Sequence, residues 1–312
     1  MAMTRSLLGK PDPMDVLSNS WYHLRLSVRH PERVATWDAI ILTAASPEQA
    51  ELYEWQLRRA KRMERIAQST LTMAVPDPQG ARIGSGAATL SAIRALADHL
   101  ANRENSQVSL DNNEEPHDSS IYNKLVKMRI LLLHAGGDSK RVPWANPMGK
   151  VFLPLPYLAD EDPDGPVSLL FDHILAVSSC VVQAFKDKGG LFIMTGDVLP
   201  CFDSSIMVFP DDGACVVTVP TTLDIAKNHG VIVLSSTGTD VSDNDKKLDI
   251  VENLLQKPSL KELMNNGAIR SDGRALLDTG IFAIRGQAWQ DIIKLSSTCP
   301  MLISELLSQK EE

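Results

Sequence analysis

The sequence predicts an α/β fold, and three observations carry that prediction. Short aliphatic runs recur along the chain without alternating with polar residues, as the strands of a mostly parallel sheet covered on both faces do. Between them lie segments with apolar residues at helical spacing. Glycine-rich loops follow several of the strands, where open α/β sheets bind their ligands. With 312 residues there is length for one large domain or two small ones. The blocks below are read as one domain, 1–312.

The first unit is "WDAIILTAASPEQAELYEWQLRRAKRM". Ala39 to Ala44 is a short buried strand. Ser46 supplies an N-cap, Pro47 suits the first helical position and Glu48 favours a helix N-terminus. Leu52, Trp55 and Arg59 then follow at helical spacing. A glycine loop, "RIGSGAATLSAIRALADHL", leads from Arg82 into a helix with Ile93, Leu96 and Leu100 on one stripe. The polar stretch 101–120 is read as a loop without secondary structure. Beyond it "MRILLLHA" and "GLFIMTG" are strands, and "LLFDHILAVSSCVVQAFKDK" between them is a helix. "CVVTVP", "GVIVL" and "LLDTGIFAI" are further strands, and "SLKELMNN" and "QAWQDIIKL" further helices. There is no internal repeat.

A hydrophobic fraction of 44% with 22% charged residues is globular rather than disordered composition. The formal net charge of -8 argues against nucleic acid and anionic membrane as partners, so any anion site must be a local basic pocket. The cysteines, Cys180, Cys201, Cys215 and Cys299, lack CxxC spacing and clustered His partners, which fits reduced thiols better than a zinc site. "MAMTRSLLGKPDPMDVL" lacks the apolar core of about seven residues that a secretory signal needs. No apolar run approaches the ~18 residues of a membrane span. The expectation is a soluble, cytoplasmic protein.

The chemistry is concentrated in "LHAGGDSKRVPWANPMGK", Leu133 to Lys150. Gly136 and Gly137 stand where a strand gives way to a loop, and glycine lets backbone N–H groups approach a phosphate without Cβ interference. Arg141 offers a bidentate fork and Lys150 a compact charge, a pair suited to a polyphosphate. An ordinary turn with solvated charges fits the same residues, and the spacing is not that of a Walker A loop. Asp197 follows the strand "LFIMTG"; a carboxylate there commonly holds a divalent cation on substrate phosphates, or else caps a turn. Gly230, Lys257, Asp278 and Gly280 follow in "NHGVIVL", "LLQKP" and "LLDTGIF".

The order of these blocks resembles that of the sugar-1-phosphate nucleotidyltransferases, whose signature looks like L-x-A-G-G/x-G-x-R…PK, then GD, then EKP, then N-x-G-I. Within them, "IGSGAATL", "LHAGGDSKRVP…GKVFLPLP", "GGLFIMTGDVLPCFD", "TLDIAKNHGVIVL" and "LLDTGIFAIRGQAW" are similar to the GDP-L-fucose pyrophosphorylase region of the plant bifunctional fucokinase/pyrophosphorylase family, from about Trp37 to Trp289. The resemblance implies a three-layer αβα, Rossmann-like nucleotidyltransferase fold with a mostly parallel mixed sheet. It has departures. Gly149 precedes the lysine where the wider superfamily has proline, as the fucose subfamily also looks to have. Gln256 replaces a usual glutamate, and Ala87 a usual second glycine. The 312 residues contain neither the hexapeptide repeats of that family's β-helical segment nor its P-x-x-x-G-L-G-S-S kinase loop, so the chain looks like the family's front portion.

What the resemblance implies is the conversion of GTP and L-fucose 1-phosphate, the expected substrates, to GDP-L-fucose and pyrophosphate, with Mg²⁺ (or Mn²⁺) as cofactor. Gly136, Gly137, Ser139 and Arg141 would hold the GTP phosphates, with Gly196 beside them. Arg141 would serve the departing β,γ portion and Lys150 the α-phosphate. Asp197 would ligate the metal, with Asp278 as a second carboxylate. Lys257, with Gly230 and Gly280, would bind the sugar phosphate. Gly84, Gly86 and the residues to Thr89 would contact guanine or ribose, or else form a helix start closing on a strand. His134 and His229 are read as local hydrogen-bonding residues. Two other readings stay open from sequence alone: a non-catalytic or partner-dependent portion of the bifunctional enzyme, and a fucokinase suggested by "GSGAAT".

Overall fold

The computed structural model describes residues 13–108, 118–137, 143–145, 148–156, 167–185, 188–235, 241–243 and 246–298. The chain divides into two compact units, 1–213 with 284–312, and 214–283. In the first unit lie α1 (Pro13–Arg29), β1 (Ala39–Ala44), α2 (Pro47–Arg62), β2 (Leu71–Pro76), α3 (Gly84–Val108), α4 (Asp118–Lys127), β3 (Arg129–His134), α5 (Leu170–Ser179) and β4 (Gly190–Thr195). The second unit takes in β5 (Gly213–Thr221), α6 (Leu223–Ala226), β6 (Gly230–Leu234), β7 (Val241–Asp243), β8 (Lys246–Leu248), β9 (Val251–Gln256), α7 (Leu260–Asn265) and β10 (Ala275–Arg285), after which α8 (Gly286–Ser297) returns to the first.

The four strands of the first unit stand in the order β2-β1-β3-β4, every neighbour parallel. They read as unbroken apolar runs because both faces are covered: Ile130 to Leu133 are fully buried. α1 packs on α5, while α3, α4 and α8 pack together as another group. Trp37, Phe185, Phe192 and Phe209 form an aromatic cluster in which Trp37 stacks on Phe192 at 5.9 Å. The α/β class expected from sequence is thus present, with parallel strands in this unit.

The second unit is built differently. β6 pairs antiparallel with both β9 and β10, and β5 pairs with β10; β7 and β8 form a small hairpin. Its own core gathers Ala226, Val231, Val233, Leu263, Ala268 and Ala275. Short antiparallel connections let 214–283 satisfy most contacts within itself, which is why it separates as a unit.

Three local expectations change. On α2 the buried face is Ala50, Tyr53, Leu57 and Ala60, whereas Leu52 and Trp55 are exposed, Trp55 lying under the Arg58 guanidinium. Polar residues do not end α3 at Leu100, because its stripe against α8 and α4 lets the helix run on to Val108; α4 begins at Asp118, and 109–117 lie outside the described residues. The helix from Leu169 stops at Ser179 and passes into a turn of 3₁₀ helix at Val182–Phe185. There the Ser178 and Ser179 hydroxyls donate to Leu175 O and Ala176 O, and β-branched Val181 and Val182 disfavour continuation. Cys180, Cys201 and Cys215 are free thiols, and Cys299 lies outside the described residues. Among the described residues no helix is long and apolar enough to cross a membrane.

The start of the parallel sheet is clamped by one ion pair. Arg129 donates through Nε and Nη2 to both oxygens of Asp38, at 2.8 and 2.6 Å, and its backbone N–H donates to the same carboxylate. The pair fixes the entry of β1 against β3. Asp38→Ala is expected to destabilise the protein by about 1–3 kcal/mol, read as a lowered midpoint in chemical denaturation; an unchanged midpoint contradicts the clamp.

Candidate functional site

The first connection, from β1 through α2, leads to β2 on one side, while β3 sends the chain to β4 on the other. Adjacent strands whose continuations diverge in this way leave a crevice at their carboxyl ends. There lies a cavity of about 310 Å³, lined at the β1 end by Thr43 and Ala45 and at the β3 end by His134, Gly136 and Gly137. Asp77 and Arg82 line it from the loop after β2, and Gly84, Ser85 and Ala88 from the start of α3. The size suits a small-molecule ligand. The first N–H groups of α3 have no partners within the helix, and together with the helix dipole they make this wall favourable to an anion.

Local sequence explains each wall. Ser46 caps α2, its Oγ accepting from Gln49 N at 3.2 Å, while Gln49 Oε1 accepts from Ala45 N at 2.8 Å. This reciprocal cap holds Ala45 at the cavity edge. A Cβ on Gly136 would stand 3.1 Å from Ala44 C and Ala45 N, so only glycine lets the loop after β3 lie this close to β1. His134 is partly buried, and that burial pushes its pKa down to about 4, so it is neutral at physiological pH. The Thr89 hydroxyl donates to Ser85 O, so it accepts from Nε2–H of His134, 3.2 Å away.

Next to this cavity, Lys150 and Asp197 form a pair. Asp197 follows β4 after Gly196, whose N–H donates to His134 O at 2.9 Å. A Cβ on Gly196 would meet Ala135 Cα and Cβ at 3.1 Å. Lys150 Nζ lies 3.3 Å from Asp197 Oδ2, with the aspartate half exposed. The lysine is set by Gly149, which adopts φ 75° and packs so tightly on Tyr53 that an added Cβ would come within 2.6 Å of ring atom Cε1. The same phenol donates to Ala135 O at 2.8 Å and meets Phe152 edge-on. Burial raises its pKa, keeping it a donor. Tyr53 therefore ties the Gly136 loop to the Gly149–Lys150 turn.

The structure thus brings Gly84, Gly136, Gly137, Gly196, Lys150 and Asp197 into one neighbourhood of the first unit. Gly86 lies in the first turn of α3, with open space where a Cβ would be. Ser139 and Arg141 lie outside the described residues. Gly230, Lys257, Asp278 and Gly280 belong to the second unit. There a Cβ on Gly230 would stand 3.3 Å from Asp278 Oδ2 and 3.5 Å from Gln256 Oε1, and Gly280 N donates to Asp278 Oδ1 at 2.8 Å. Lys257 holds φ 49°, rare for a residue with a side chain. Its N–H donates to His229 O, and Pro258 after it disfavours the right-handed helical region. Sequence reading misses Tyr53, Asp77 and Arg82. Tyr53 was hidden by placing the apolar face of α2 one residue away, and Asp77 by overlooking β2, whose signal was the "DPQG" turn after "LTMAVP".

Residues 122–312 match the fucose pyrophosphorylase domain family. This chain belongs to the fucose pyrophosphorylase family. It is 61% identical over 307 residues to the bifunctional fucokinase/GDP-fucose pyrophosphorylase of Arabidopsis thaliana, which covers 97% of this chain and 28% of that protein. It is 25% identical to the fucose-1-phosphate guanylyltransferases of Mus musculus, over 78% of this chain and 37% of that protein, and Homo sapiens, over 76% and 35%. The chain therefore spans about a quarter to somewhat over a third of the length of these relatives. No solved structure matches it. The family's match covers the β3 loop, Lys150, Asp197 and the second unit, whereas α2, with Tyr53, and the loop bearing Asp77 precede it.

Because the folded-state pKa of His134 lies below its unfolded value near 6.5, its neutral form supports folding above that pH, and the support is lost as pH falls towards 4. The loss amounts to at most about 3 kcal/mol; His23 and His173, also lowered by burial, add in the same direction. Thermal melts between pH 7 and 4 should show this decline, and His134→Gln, which keeps a donor for Thr89, should flatten it. An equally steep decline in the variant counts against the assignment.

Proposed function

We propose that this chain carries the nucleotidyl-transfer activity of its family, joining GTP and L-fucose 1-phosphate into GDP-L-fucose with release of pyrophosphate. The observation that carries the reading is the cavity at the diverging strand ends, lined by Gly136 and Gly137, with the Lys150–Asp197 pair in the same neighbourhood of the first unit, in a chain of this family. The names of the mouse and human relatives agree with it.

In the proposed reaction an oxygen of the sugar phosphate forms a bond to the α-phosphorus of GTP as the bond to the β-phosphate oxygen breaks. The nucleophile is already an anion, so no general base is required, and catalysis lies in positioning and charge neutralisation. Backbone N–H groups at Gly136, Gly137 and the start of α3 are suited to the triphosphate. Lys150 is suited to the charge shifting at the α-phosphate. From the sequence, Ser139 and Arg141 are proposed to join them, Arg141 on the pyrophosphate. In the second unit, Lys257 with Gly230 and Gly280 is proposed to bind the sugar phosphate, and Asp278 beside Gln256 offers acceptors for sugar hydroxyls.

Mg²⁺ is the proposed cofactor. Among the described residues no three metal-ligating side chains gather, and a half-exposed single carboxylate suits Mg²⁺, which takes one or two carboxylates and completes its shell with phosphate oxygens and water. Asp197 would hold it, and Asp278 stays a candidate carboxylate. Bound there, the ion would neutralise phosphate charge. The Thr195 hydroxyl at the end of β4, buried and without a hydrogen-bond partner among the described residues, is a further polar group that bound ligand or water would satisfy. A cytoplasmic setting is proposed from the free thiols.

A pyrophosphate-release screen across nucleoside triphosphates and sugar 1-phosphates tests the reading. GTP with fucose 1-phosphate should be the fastest pair; release from no pair by the folded chain, or ADP from fucose and ATP, overturns it. Lys150→Ala should slow turnover on the order of 10²-fold or more, as loss of a preorganised charge contact does. Asp197→Asn should abolish the Mg²⁺-dependent rate, and an unchanged metal titration would remove Asp197 as the ligand.

A further inference from the structure

His134 uses only one of its two ring nitrogens within the protein. Its Nε2–H donates to Thr89 Oγ1 on α3, 3.2 Å away, because that hydroxyl gives its own hydrogen to Ser85 O. Burial keeps the ring neutral, and a neutral imidazole carries a single N–H, so Nδ1 retains a lone pair. Among the described residues Nδ1 has no partner and is not sealed from solvent, and His134 lines the cavity. Thr43, in register with His134 across parallel β1 and β3, lines it too. The Thr43 Oγ1 accepts from Ala135 N at 3.3 Å, which leaves its hydroxyl hydrogen to donate. An acceptor and a donor, both uncharged, thus stand side by side just before the Gly136–Gly137 loop.

We propose that His134 Nδ1 accepts a hydrogen bond from a ribose hydroxyl of the bound nucleotide, with Thr43 donating to the neighbouring hydroxyl, so that this wall favours ribonucleotides over deoxyribonucleotides. The inference rests on the nucleotidyl-transfer reading above and adds to it the residues that read the nucleotide's sugar. A triphosphate is largely deprotonated at neutral pH and presents acceptor oxygens, which a lone pair repels. The phosphate wall therefore ends at Gly136, and His134, two residues earlier, takes a donor instead. In a nucleotide the donor-bearing group next to the phosphates is the ribose. Each of its two vicinal hydroxyls can donate and accept, which matches an acceptor and a donor set side by side. Base N–H groups lie beyond the ribose, and a contact to them would be the same for a ribonucleotide and its deoxy analogue.

The test is equilibrium binding, by calorimetry in Mg²⁺ buffer, of GTP, 2′-deoxyGTP and 3′-deoxyGTP to the full chain and to two variants. The unaltered chain should bind GTP about tenfold tighter than at least one deoxy analogue. His134→Gln sets its amide donor where Nε2 stood, keeping the Thr89 bond, and leaves no acceptor at the Nδ1 position. In that variant the preference should shrink to about twofold or less. His134→Asn sets Oδ1 at the Nδ1 position and should restore it. Equal binding of all three nucleotides by the unaltered chain overturns the proposal, as does a Gln variant that keeps the full preference or weakens all three equally. If the folded, unaltered chain binds none of them, the nucleotide reading falls, and this inference with it. Should the variants not fold, nitrogen NMR of the histidine-labelled, unaltered chain decides. The Nδ1 signal of His134 should be that of an unprotonated nitrogen and should move on adding GTP, but not on adding the weaker deoxy analogue. A protonated Nδ1, or a signal that GTP leaves in place, overturns the assignment.

Discussion

The site depends on how closely three strand ends approach one another around Ala135. The carbonyl of this residue accepts from the Tyr53 phenol, its N–H donates to Thr43 Oγ1 at 3.3 Å, and its Cα and Cβ fill the space where a side chain on residue 196 would be. One residue later, Gly136 faces the backbone of Ala44 and Ala45, from which an added Cβ would stand only 3.1 Å. Interiors packed to this density transmit any displacement. The loop after β3, the turn bearing Asp197 and the turn bearing Lys150 are therefore fixed by the same few contacts. Glycine is required at residues 136 and 196 by the backbones that face them, whatever ligand is bound.

That constraint also addresses an electrostatic problem. A chain with a formal charge of -8 has no long-range field to draw an anion, so an anion site must be assembled from short-range parts. In the proposed reading, backbone N–H groups, the start of α3, Arg82 at the cavity wall and Lys150 supply those parts. His134, although it borders the cavity, adds no positive charge, because burial holds it neutral. The carboxylates take separate places: Asp197 beside Lys150, Asp77 beyond β1. Fixed dipoles and point charges at defined positions are worth more in a cavity walled by protein than in bulk water.

The second unit follows another logic. Its strands pair antiparallel among themselves, and the residues of interest are Gly230 opening β6, Gln256 closing β9 and Asp278 inside β10. Gly230 leaves room for the Asp278 and Gln256 side chains to converge over it. Lys257 is held at positive φ between His229 O and Pro258, a conformation that costs on the order of 1 kcal/mol and is tolerated where surrounding structure determines it. Such backbone outliers concentrate at functional positions.

Sequence alone determined the α/β class, the strands from Ala39, Arg129 and Gly190, the Ser46 cap, and the order of glycine, lysine and aspartate blocks that resembles the family. These are local or repeating signals: aliphatic runs, capping chemistry and motif spacing, each legible over a few residues. It did not show that residues 214–283 close on themselves, that α3 continues to Val108, or that Tyr53 and Asp77 border the site. Tyr53 looked like one more apolar helix residue and Asp77 like one more turn aspartate. What distinguishes them is a partner or neighbour far along the chain: Ala135 and Gly149 for Tyr53, the β3 loop for Asp77. Only the sheet order β2-β1-β3-β4, set by packing over the whole unit, brings those partners within reach.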